Sequence, residues 1–508
     1  MTSGQIGIII SMAVYLGGML LIGFWVSGRN KNVSDFYLGG RKLGPIVTAM
    51  SAEASDMSSY LLMGLPGLAY LSGMADVGWT AIGLSVGTYL NWLIVAKKLR
   101  RYTAANGSIT VPSFFSKRYG DDRGILMFIA AIIIVVFFVP YTASGFASCG
   151  KLFNSLFGID YHAAMIVSAF VIIGYTMTGG FLAASMTDLV QSIVMTVALL
   201  IVLGFGITKA GGMDNVINNA KGLAGYFSMV QSHDAVTGQA APYGFINIVS
   251  TLAWGLGYFG MPHILLRFMA IEDDSKLKVS RRVASIWAFL SMVVAVLIGM
   301  VGLCMSSQGT LPVLEGSASE TIIVQISSLL ASHGFGLALV AGLVLSGILA
   351  STMSTSDSQL LAASSSISED IINGFFHVKI KEKNLMLIAR MSLLVIALIG
   401  IALAWNQNSS IFVIVSFAWA GFGGAFGPTM LLALFWRRSN KYGALAGMIS
   451  GGVMIFVWKF LVRPLGGAWN IYELLPAFIV SIVLNIIVSL ATPAPDTTVT
   501  DTFDNVAK

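Results

Sequence analysis

Long apolar runs separated by short polar stretches dominate this 508-residue chain up to about residue 491. A helix needs roughly twenty mostly apolar residues to cross the hydrocarbon core of a bilayer. The pattern predicts thirteen such spans, at residues 5–27, 45–72, 77–97, 124–149, 160–179, 186–208, 244–267, 283–306, 322–352 (continuing as helix toward 370), 385–405, 409–436, 442–462 and 471–491. We therefore expect an all-α polytopic membrane protein.

Composition agrees with this expectation, because 56% of the residues are hydrophobic and only 10% are charged. Soluble domains carry about 25% charged residues. The first apolar run has no Lys or Arg before Arg29, whereas a secretory signal peptide usually begins with a basic region. We interpret residues 5–27 as an extra N-terminal membrane helix. Cys149 and Cys304 both lie in apolar stretches, so no disulfide framework is expected.

Positive charge is distributed unevenly among the loops. Most Lys and Arg residues fall in loops that share one side if the N-terminus is outside, so the positive-inside rule predicts the C-terminus inside. This explains the net charge of +6 without a nucleic-acid partner. We expect the polar tail, residues 492–508, to be a disordered cytoplasmic end. The mixed loop at 210–243 is a candidate for a short surface helix.

Two spans carry signals for a broken helix. The stretch SAEASDMSSY, residues 51–60, places Glu53 and Asp56 among four serines in the middle of a span. An acid inside the membrane is costly and therefore suggests a functional site. Unwinding here would expose carbonyl oxygens, which suit a hard cation such as sodium. The stretch WGLGYFGMP, residues 254–262, has three glycines and a proline, which disrupts the preceding turn.

A third segment, SGILASTMSTSDSQLLAASSS at residues 346–366, is rich in hydroxyl groups. Ser351, Ser354, Thr355 and Ser358 follow helical spacing and share one face, with Asp357 beside them. Serine and threonine often join membrane helices to one another. The density of hydroxyls opposite a broken, acid-bearing helix favours an ion site instead.

The spans divide into two five-helix units, residues 45–208 and 244–436, and each begins with an interrupted helix. Since each unit has an odd number of spans, the two face opposite ways, an arrangement typical of a solute site in secondary transporters. We expect one transmembrane domain, residues 1–491, with the extra helix 5–27 before the units and two helices in 442–491 after them.

Other functional classes fit the sequence less well. An ATP-driven pump would need a GxxxxGK[ST] phosphate loop, which does not occur. The five histidines are scattered without metal-ligand spacing, and no nucleophile elbow is present, so an enzyme is not expected. A channel is excluded less firmly.

Several long blocks, in order, resemble the sodium/solute symporters, and within them the bacterial sodium/proline symporters. The blocks are YLGGRKLGP (37–45), SAEASDMSSYLLMGLPG (51–67), YTMTGGFLAASMTDLVQ (175–191), WGLGYFGMPHILLRFMA (254–270), MSTSDSQLLAASSSISED (353–370), WAGFGGAFGP (419–428) and RRSNKYGALAGMISGG (437–452). The resemblance implies a leucine-transporter-like fold with a 5+5 inverted repeat. It also implies sodium-coupled uptake of L-proline by alternating access, at the inner (plasma) membrane of a bacterium, with no obligate protein partner.

The resemblance further implies a sodium (Na+) site between the second and ninth spans. Its ligands would be the carbonyls of Ala54, Met57 and Ser351 and the hydroxyls of Ser354 and Thr355, with Asp56 and Ser58 also tied to ion binding. An alternative role for Asp56 is capping of a half-helix.

A proline pocket is implied at Tyr141, Trp254, Tyr258 and Pro262. Aromatic faces can enclose the proline ring, and half-helix ends can meet its charged groups. Asp188 and Arg41 match positions linked to gating or a second ion. A helix N-cap for Asp188 and a topology charge for Arg41 are the alternatives.

Four residues depart from the proline-symporter pattern: Glu53 and Ser59 replace small residues, Tyr60 replaces Trp, and Met261 replaces a polar residue. Glu53 is open to three interpretations: it is protonated, paired with a basic group, or turned toward an inner vestibule. These departures keep a second function open, a sodium symporter for another small solute such as pantothenate or a different amino acid.

Overall fold

The computed structural model describes residues 2–27, 33–378 and 381–507, which form a helical bundle with a short β-hairpin. The helices are α1 Ser3–Ser27, α2 Val33–Leu38, α3 Pro45–Ser59, α4 Leu65–Ser72, α5 Met74–Leu90, α6 Ala96–Ala105, α7 Val111–Tyr119, α8 Ile125–Phe157, α9 Tyr161–Lys209, α10 Met213–Gly222, α11 Phe245–Leu252, α12 Pro262–Ala270, α13 Leu277–Ser307, α14 Ile322–Ala331, α15 Phe335–Ser365, α16 Glu382–Leu403, α17 Ile411–Phe435, α18 Lys441–Val457, α19 Leu474–Ala491 and α20 Thr497–Ala507. Strands β1 (Gln231–His233) and β2 (Ala240–Pro242) pair antiparallel, a small departure from the all-α expectation.

Among the described residues, ten helical stretches are long and apolar enough to cross a membrane. Large apolar side chains on their outer faces are exposed, for example Leu21 and Leu200, as expected where helices meet lipid rather than water. The chain is therefore a multi-pass membrane protein. The predicted spans at 45–72, 160–179 and 244–267 are not among the ten, because each is short or broken, and the count of thirteen stays a prediction.

The first predicted break is present at Ser58, near the end of α3. Its φ of 49° and ψ of −167° interrupt the helix, and a π turn, Tyr60–Gly64, then leads into α4. A positive φ is uncommon for a residue with a side chain. The run of small and hydroxyl residues therefore divides one span into two half-helices that meet in the middle of the bundle.

The second predicted break is present between α11 and α12. A 3-10 segment, Ala253–Gly260, follows α11, and Met261 is extended before Pro262 begins α12. Proline is tolerated at this first helical position because its missing N–H would have no helical partner there. A β-carbon at Gly257 would collide with the ring of Trp419 on α17, so glycine allows the 3-10 segment to pack directly on that helix.

Two boundaries differ from the prediction. The expected spans 160–179 and 186–208 are the two segments of α9, which is broken at Gly180, where φ is 66° and ψ is −176°, so the separation is present and the second segment begins a few residues before 186. The expected span 322–352 is two helices, α14 and α15, because Gly334, with φ 122°, separates them. Helix α15 then continues through a π stretch to Phe375.

The tail was predicted to be disordered, and this is wrong for most of it, since residues 497–507 form α20. Phe503 lies against the guanidinium of the buried Arg118, 4.9 Å from its ring centroid, and Asp504 pairs with Arg437 at 2.9 Å. The contact with the buried Arg118 explains how a polar segment becomes ordered. The short helix expected in the loop 210–243 is confirmed as α10.

Helix α3 lies at the centre of the bundle, where it packs against α9, α12, α13 and α15. This packing brings the first break beside the hydroxyl-rich helix and close to the second break.

Candidate functional site

The carbonyl end of the half-helix α3 meets the hydroxyl face of α15. Ser354 Oγ donates to the carbonyl of Ala54 at 2.8 Å, and Thr355 Oγ1 donates to the carbonyl of Ser351 at 3.0 Å. All four residues are buried. We call these four residues the ion region. Uncharged oxygens of this kind suit hard cations, and no group of three or more His, Cys, Asp or Glu among the described residues is placed to hold a metal.

The other three predicted sodium residues adjoin this region at the break. The side chain of Asp56 accepts a hydrogen bond from Tyr258 Oη, and its carbonyl accepts one from Tyr141 Oη at 3.2 Å. Met57 supplies its carbonyl, and Ser58 its hydroxyl at 3.1 Å, to the amide of Tyr60. Ser58 rather than Asp56 therefore binds the amide of Tyr60, where the next helical turn begins, and the Asp56 carboxylate accepts a hydrogen bond from a tyrosine.

A small cavity of about 10 Å³ lies directly beyond the break. Its lining residues are Asp56, Met57, Tyr60, Leu84, Tyr141, Trp254, Tyr258, Val415 and Trp419. We call this space the pocket. Three of the four predicted proline residues line it, and Pro262 does not. The volume is about that of one water molecule, so the pocket is nearly closed.

Four aromatic rings packed around Trp254 close the pocket on one side. Trp254 lies 5.8 Å from Tyr60, 5.3 Å from Phe412 and 5.1 Å from Tyr472, measured between ring centroids. We call these four residues the aromatic lid. Beyond it opens a cavity of about 690 Å³, the vestibule, whose walls include Asp76 and Arg463 as well as Trp254.

A buried ion pair lies on the opposite side of the pocket from the lid. Arg267 Nη2 donates to Asp188 Oδ2 at 3.1 Å, and Ser51 bridges the pair by donating to the same oxygen at 2.6 Å. Arg267 also donates to Ser358 Oγ on α15. We call Arg267, Asp188, Ser51 and Ser358 the buried network. Arg267 and Asp188 are 1% and 0% exposed.

The N-cap interpretation of Asp188 is wrong, because this residue lies within the second segment of α9, well after the break at Gly180. Arg267, the last residue of the predicted span 244–267, was not among the predicted site residues. The only signal in the sequence is that its flanks, HILL and FMA, are apolar.

Arg41 connects loops on the same side as the buried network. It donates to the carbonyl of Met269 at 2.7 Å and to the carbonyls of Thr103 and Ser108 at 2.9 and 2.6 Å. Burial lowers the pKa of Arg41 to about 10, so this side chain remains charged at neutral pH. The contacts tie the α6–α7 connection to the end of α12, which a simple topology charge would not do.

Glu53 points from α3 toward α5 and the π turn that follows it. Its Oε1 accepts hydrogen bonds from Thr88 Oγ1 at 3.1 Å and Trp92 Nε1 at 3.2 Å. The residue is 1% exposed, and Oε2 has no hydrogen-bond partner among the described residues. Within that part of the chain no basic group pairs with Glu53, so the interpretation that it is paired is wrong.

Comparison with known proteins gives a consistent result. The model of the sodium:solute symporter family matches residues 36–451. The chain is 42% identical to the osmoregulated proline transporter OpuE of Bacillus subtilis, over 97% of this chain and 96% of the relative. It is 40% identical to the sodium/proline symporter of Haemophilus influenzae, over 98% and 97% of the two chains.

The fold is also similar to solved structures. A sodium-coupled sialic acid symporter, in a substrate-bound outward-open state, superposes with a TM-score of 0.78 over 96% of this chain and 99% of that chain, at 18% sequence identity. At this low sequence identity, the structural similarity is evidence for a shared fold and not for a shared solute.

Proposed function

The chain belongs to the sodium:solute symporter family, and from this membership we propose that it uses the sodium gradient to take up L-proline. Its relatives are about 40% identical over nearly their whole length and are named as proline transporters or sodium/proline symporters. A symporter carries its solute unchanged, so the chain is a transporter and not an enzyme.

The observation that carries this proposal is that one break serves both the ion region and the pocket. Ala54 contributes to the ion region, and Asp56, two residues later, lines the pocket and bonds to Tyr258. A sodium ion on the carbonyls of Ala54, Met57 and Ser351 would draw the break against α15. Because Asp56 belongs to the same segment, that movement would also set the shape of the pocket. An ion can shift such an equilibrium only through its different affinity for the two states.

The energy available from sodium is sufficient for concentrative uptake. One charge crossing 100 mV yields about 2.3 kcal/mol, and a tenfold sodium gradient adds about 1.4 kcal/mol. Together these support an accumulation of a neutral solute on the order of several hundredfold when one sodium moves with it. For this energy to be used, the outward-facing state must bind both sodium and the solute, and the inward-facing state must release both.

The pocket suits a compact solute with one apolar ring. Tyr141, Trp254 and Tyr258 supply aromatic faces, and the outer half-helix that begins at Tyr60 directs its N-terminal end, with its partial positive charge, toward the break. The aromatic lid leaves little space beside the break, so the pocket favours proline over a long solute such as pantothenate. A different small amino acid remains the second candidate.

The orientation and the repeat belong to the same proposal. We infer thirteen spans with the N-terminus outside and the C-terminus inside, and two inverted units at residues 45–208 and 244–436. The two breaks, each in the first span of its unit, support this arrangement. The vestibule then faces the outside of a bacterial inner membrane, and the buried network and Arg41 face the cytoplasm. No obligate protein partner is required.

Uptake of labelled proline into proteoliposomes tests the function. We expect accumulation when sodium is high outside, and loss of accumulation when choline replaces sodium or when an ionophore collapses the gradient. Unlabelled pantothenate and other amino acids, added as competitors, separate the candidates. Proline uptake that ignores the sodium gradient would refute the proposal.

The role of Asp56 is tested by Asp56→Asn, with Asp76→Asn on the wall of the vestibule as the matched control. We expect the first variant to raise the sodium concentration needed for half-maximal proline binding about tenfold or more, because a charged acceptor is lost at the break. An unchanged sodium dependence would remove Asp56 from the coupling between ion and solute.

A further inference from the structure

Tyr60 occupies the junction between the pocket and the aromatic lid. It is the second residue after the break at Ser58, it lines the pocket, and it is 4% exposed. Its ring stacks on Trp254 and lies 5.9 Å from the ring of Phe412. The aromatic ring therefore belongs to the lid, while the residue as a whole borders the space in which a solute would lie.

The hydroxyl of Tyr60 has no hydrogen-bond partner among the described residues. The other phenols at this site differ. Tyr141 donates to the carbonyl of Asp56, Tyr258 donates to the carboxylate of Asp56, and Tyr472 donates to the carbonyl of Ser416 at 2.6 Å. Three of the four hydroxyls therefore donate hydrogen bonds within the protein, and that of Tyr60 does not among the described residues.

A buried hydroxyl without a partner is unfavourable, since it has lost its bonds to water and gained none. Such a group is satisfied when a ligand brings an acceptor into the pocket. The N-terminal end of the outer half-helix lies at the same place and favours negative charge. The acceptor that fits both features is an anionic oxygen.

We propose that Tyr60 is a specificity-determining residue whose hydroxyl donates a hydrogen bond to the carboxylate of the bound solute. It then selects amino acids with a free carboxylate over their neutral derivatives. This inference rests on the proposed uptake of proline, because it assigns one end of that solute to one side chain. The same contact would draw the ring of Tyr60 inward, so that the lid closes over a solute of the right kind.

The test is sodium-dependent binding of labelled proline to purified wild-type protein and Tyr60→Phe, with L-prolinamide as the neutral competitor. Phenylalanine keeps the ring and removes only the oxygen. We expect proline affinity to fall about 10- to 100-fold, the range for a hydrogen bond to a charged group. Affinity for L-prolinamide should fall clearly less. Tyr161→Phe is the matched control outside the pocket and the lid: its buried hydroxyl donates to the carbonyl of Ala404 at 2.8 Å, so its proline affinity should stay within about threefold of wild type.

The outcomes separate this inference from the function beneath it. A wild-type protein without sodium-dependent proline binding refutes the proposed function and this inference with it. Normal wild-type binding with unchanged proline affinity in Tyr60→Phe refutes the inference alone. An equal loss for proline and L-prolinamide also refutes it, since the hydroxyl would then act on the lid and not on the carboxylate. Sodium binding without proline, measured on both proteins, should not change.

Discussion

The pocket is closed on its two sides by different kinds of contact. On the vestibule side stands the aromatic lid, a stack of rings around Trp254. On the other side lies the buried network, in which Arg267 and Asp188 are paired and almost completely shielded from solvent. One closure is a layer of apolar contacts, and the other is a set of charged hydrogen bonds.

These two kinds of contact differ in how easily each side of the pocket can open by itself. Aromatic pairs contribute about 0.5–1.5 kcal/mol each beyond their buried area, so the rings can part at modest cost. Separating a buried ion pair leaves an uncompensated charge, which costs several kcal/mol unless something replaces the partner. In the proposed transport cycle the lid can admit solute directly, whereas the opposite side opens only when the network exchanges its partners, and a cation beside Asp188 is one way to do so.

The largest expected effect comes from breaking the network with Arg267→Ala. Asp188 would keep a buried charge without its partner, and we expect about 3–5 kcal/mol of destabilisation together with loss of uptake. Thermal unfolding in detergent measures the change. The double variant Arg267→Met with Asp188→Leu removes both charges and should recover much of the stability but not the uptake. A single variant as stable as wild type would show that the pair does not hold this side closed.

Removing the central ring of the lid, with Trp254→Ala, is expected to act mainly on solute binding. Three ring contacts and one wall of the pocket are lost, which should weaken proline affinity roughly 100-fold. Binding of labelled proline measures it, and the melting temperature should fall less than in Arg267→Ala. A large fall in melting temperature with unchanged proline affinity would mean that the lid mainly stabilises the fold, which would contradict the view that it opens at modest cost.

The helix breaks around the pocket could be predicted from local sequence, whereas the ordered tail and the role of Arg267 could not. The breaks at 51–60 and 254–262 were predictable because serine, glycine and proline act on the backbone where they stand. The ordered tail was not predictable, because α20 depends on Phe503 meeting Arg118 in the folded protein. Arg267 was missed for a similar reason. A basic residue at the end of an apolar run has the same pattern whether it reaches water or pairs with Asp188, 79 positions away.

Glu53 is a second residue whose partners could not be predicted from the sequence. Its acidity inside a span was visible in the sequence, but its partners Thr88 and Trp92 lie on other elements that only the tertiary fold brings near. Sequence therefore predicted that this region is unusual, and the structure was needed to show that Glu53 bonds to Thr88 and Trp92 and pairs with no basic residue among those described.

A smaller effect is expected from Ser354→Ala, which removes a hydroxyl from the ion region between the two closures. We expect the sodium concentration for half-maximal proline binding to rise about tenfold, because one oxygen ligand is lost. Ser346→Ala is the matched control on the same helix, since its hydroxyl bonds within α15 to the carbonyl of Gly342. Equal responses of the two variants would mean that the ion does not bind at this face.

The smallest effect is expected from Arg437→Ala, which breaks the ion pair with Asp504 on α20. The Arg437–Asp504 distance of 2.9 Å is slightly shorter than the 3.1 Å of Arg267–Asp188, yet its side chains are 58% and 47% exposed. Water can solvate both charges when an exposed pair is broken, and many such pairs contribute nothing measurable. We expect no measurable shift in melting temperature and no change in uptake. A response as large as that of Arg267→Ala would mean that distance, and not burial, decides how much an ion pair matters here.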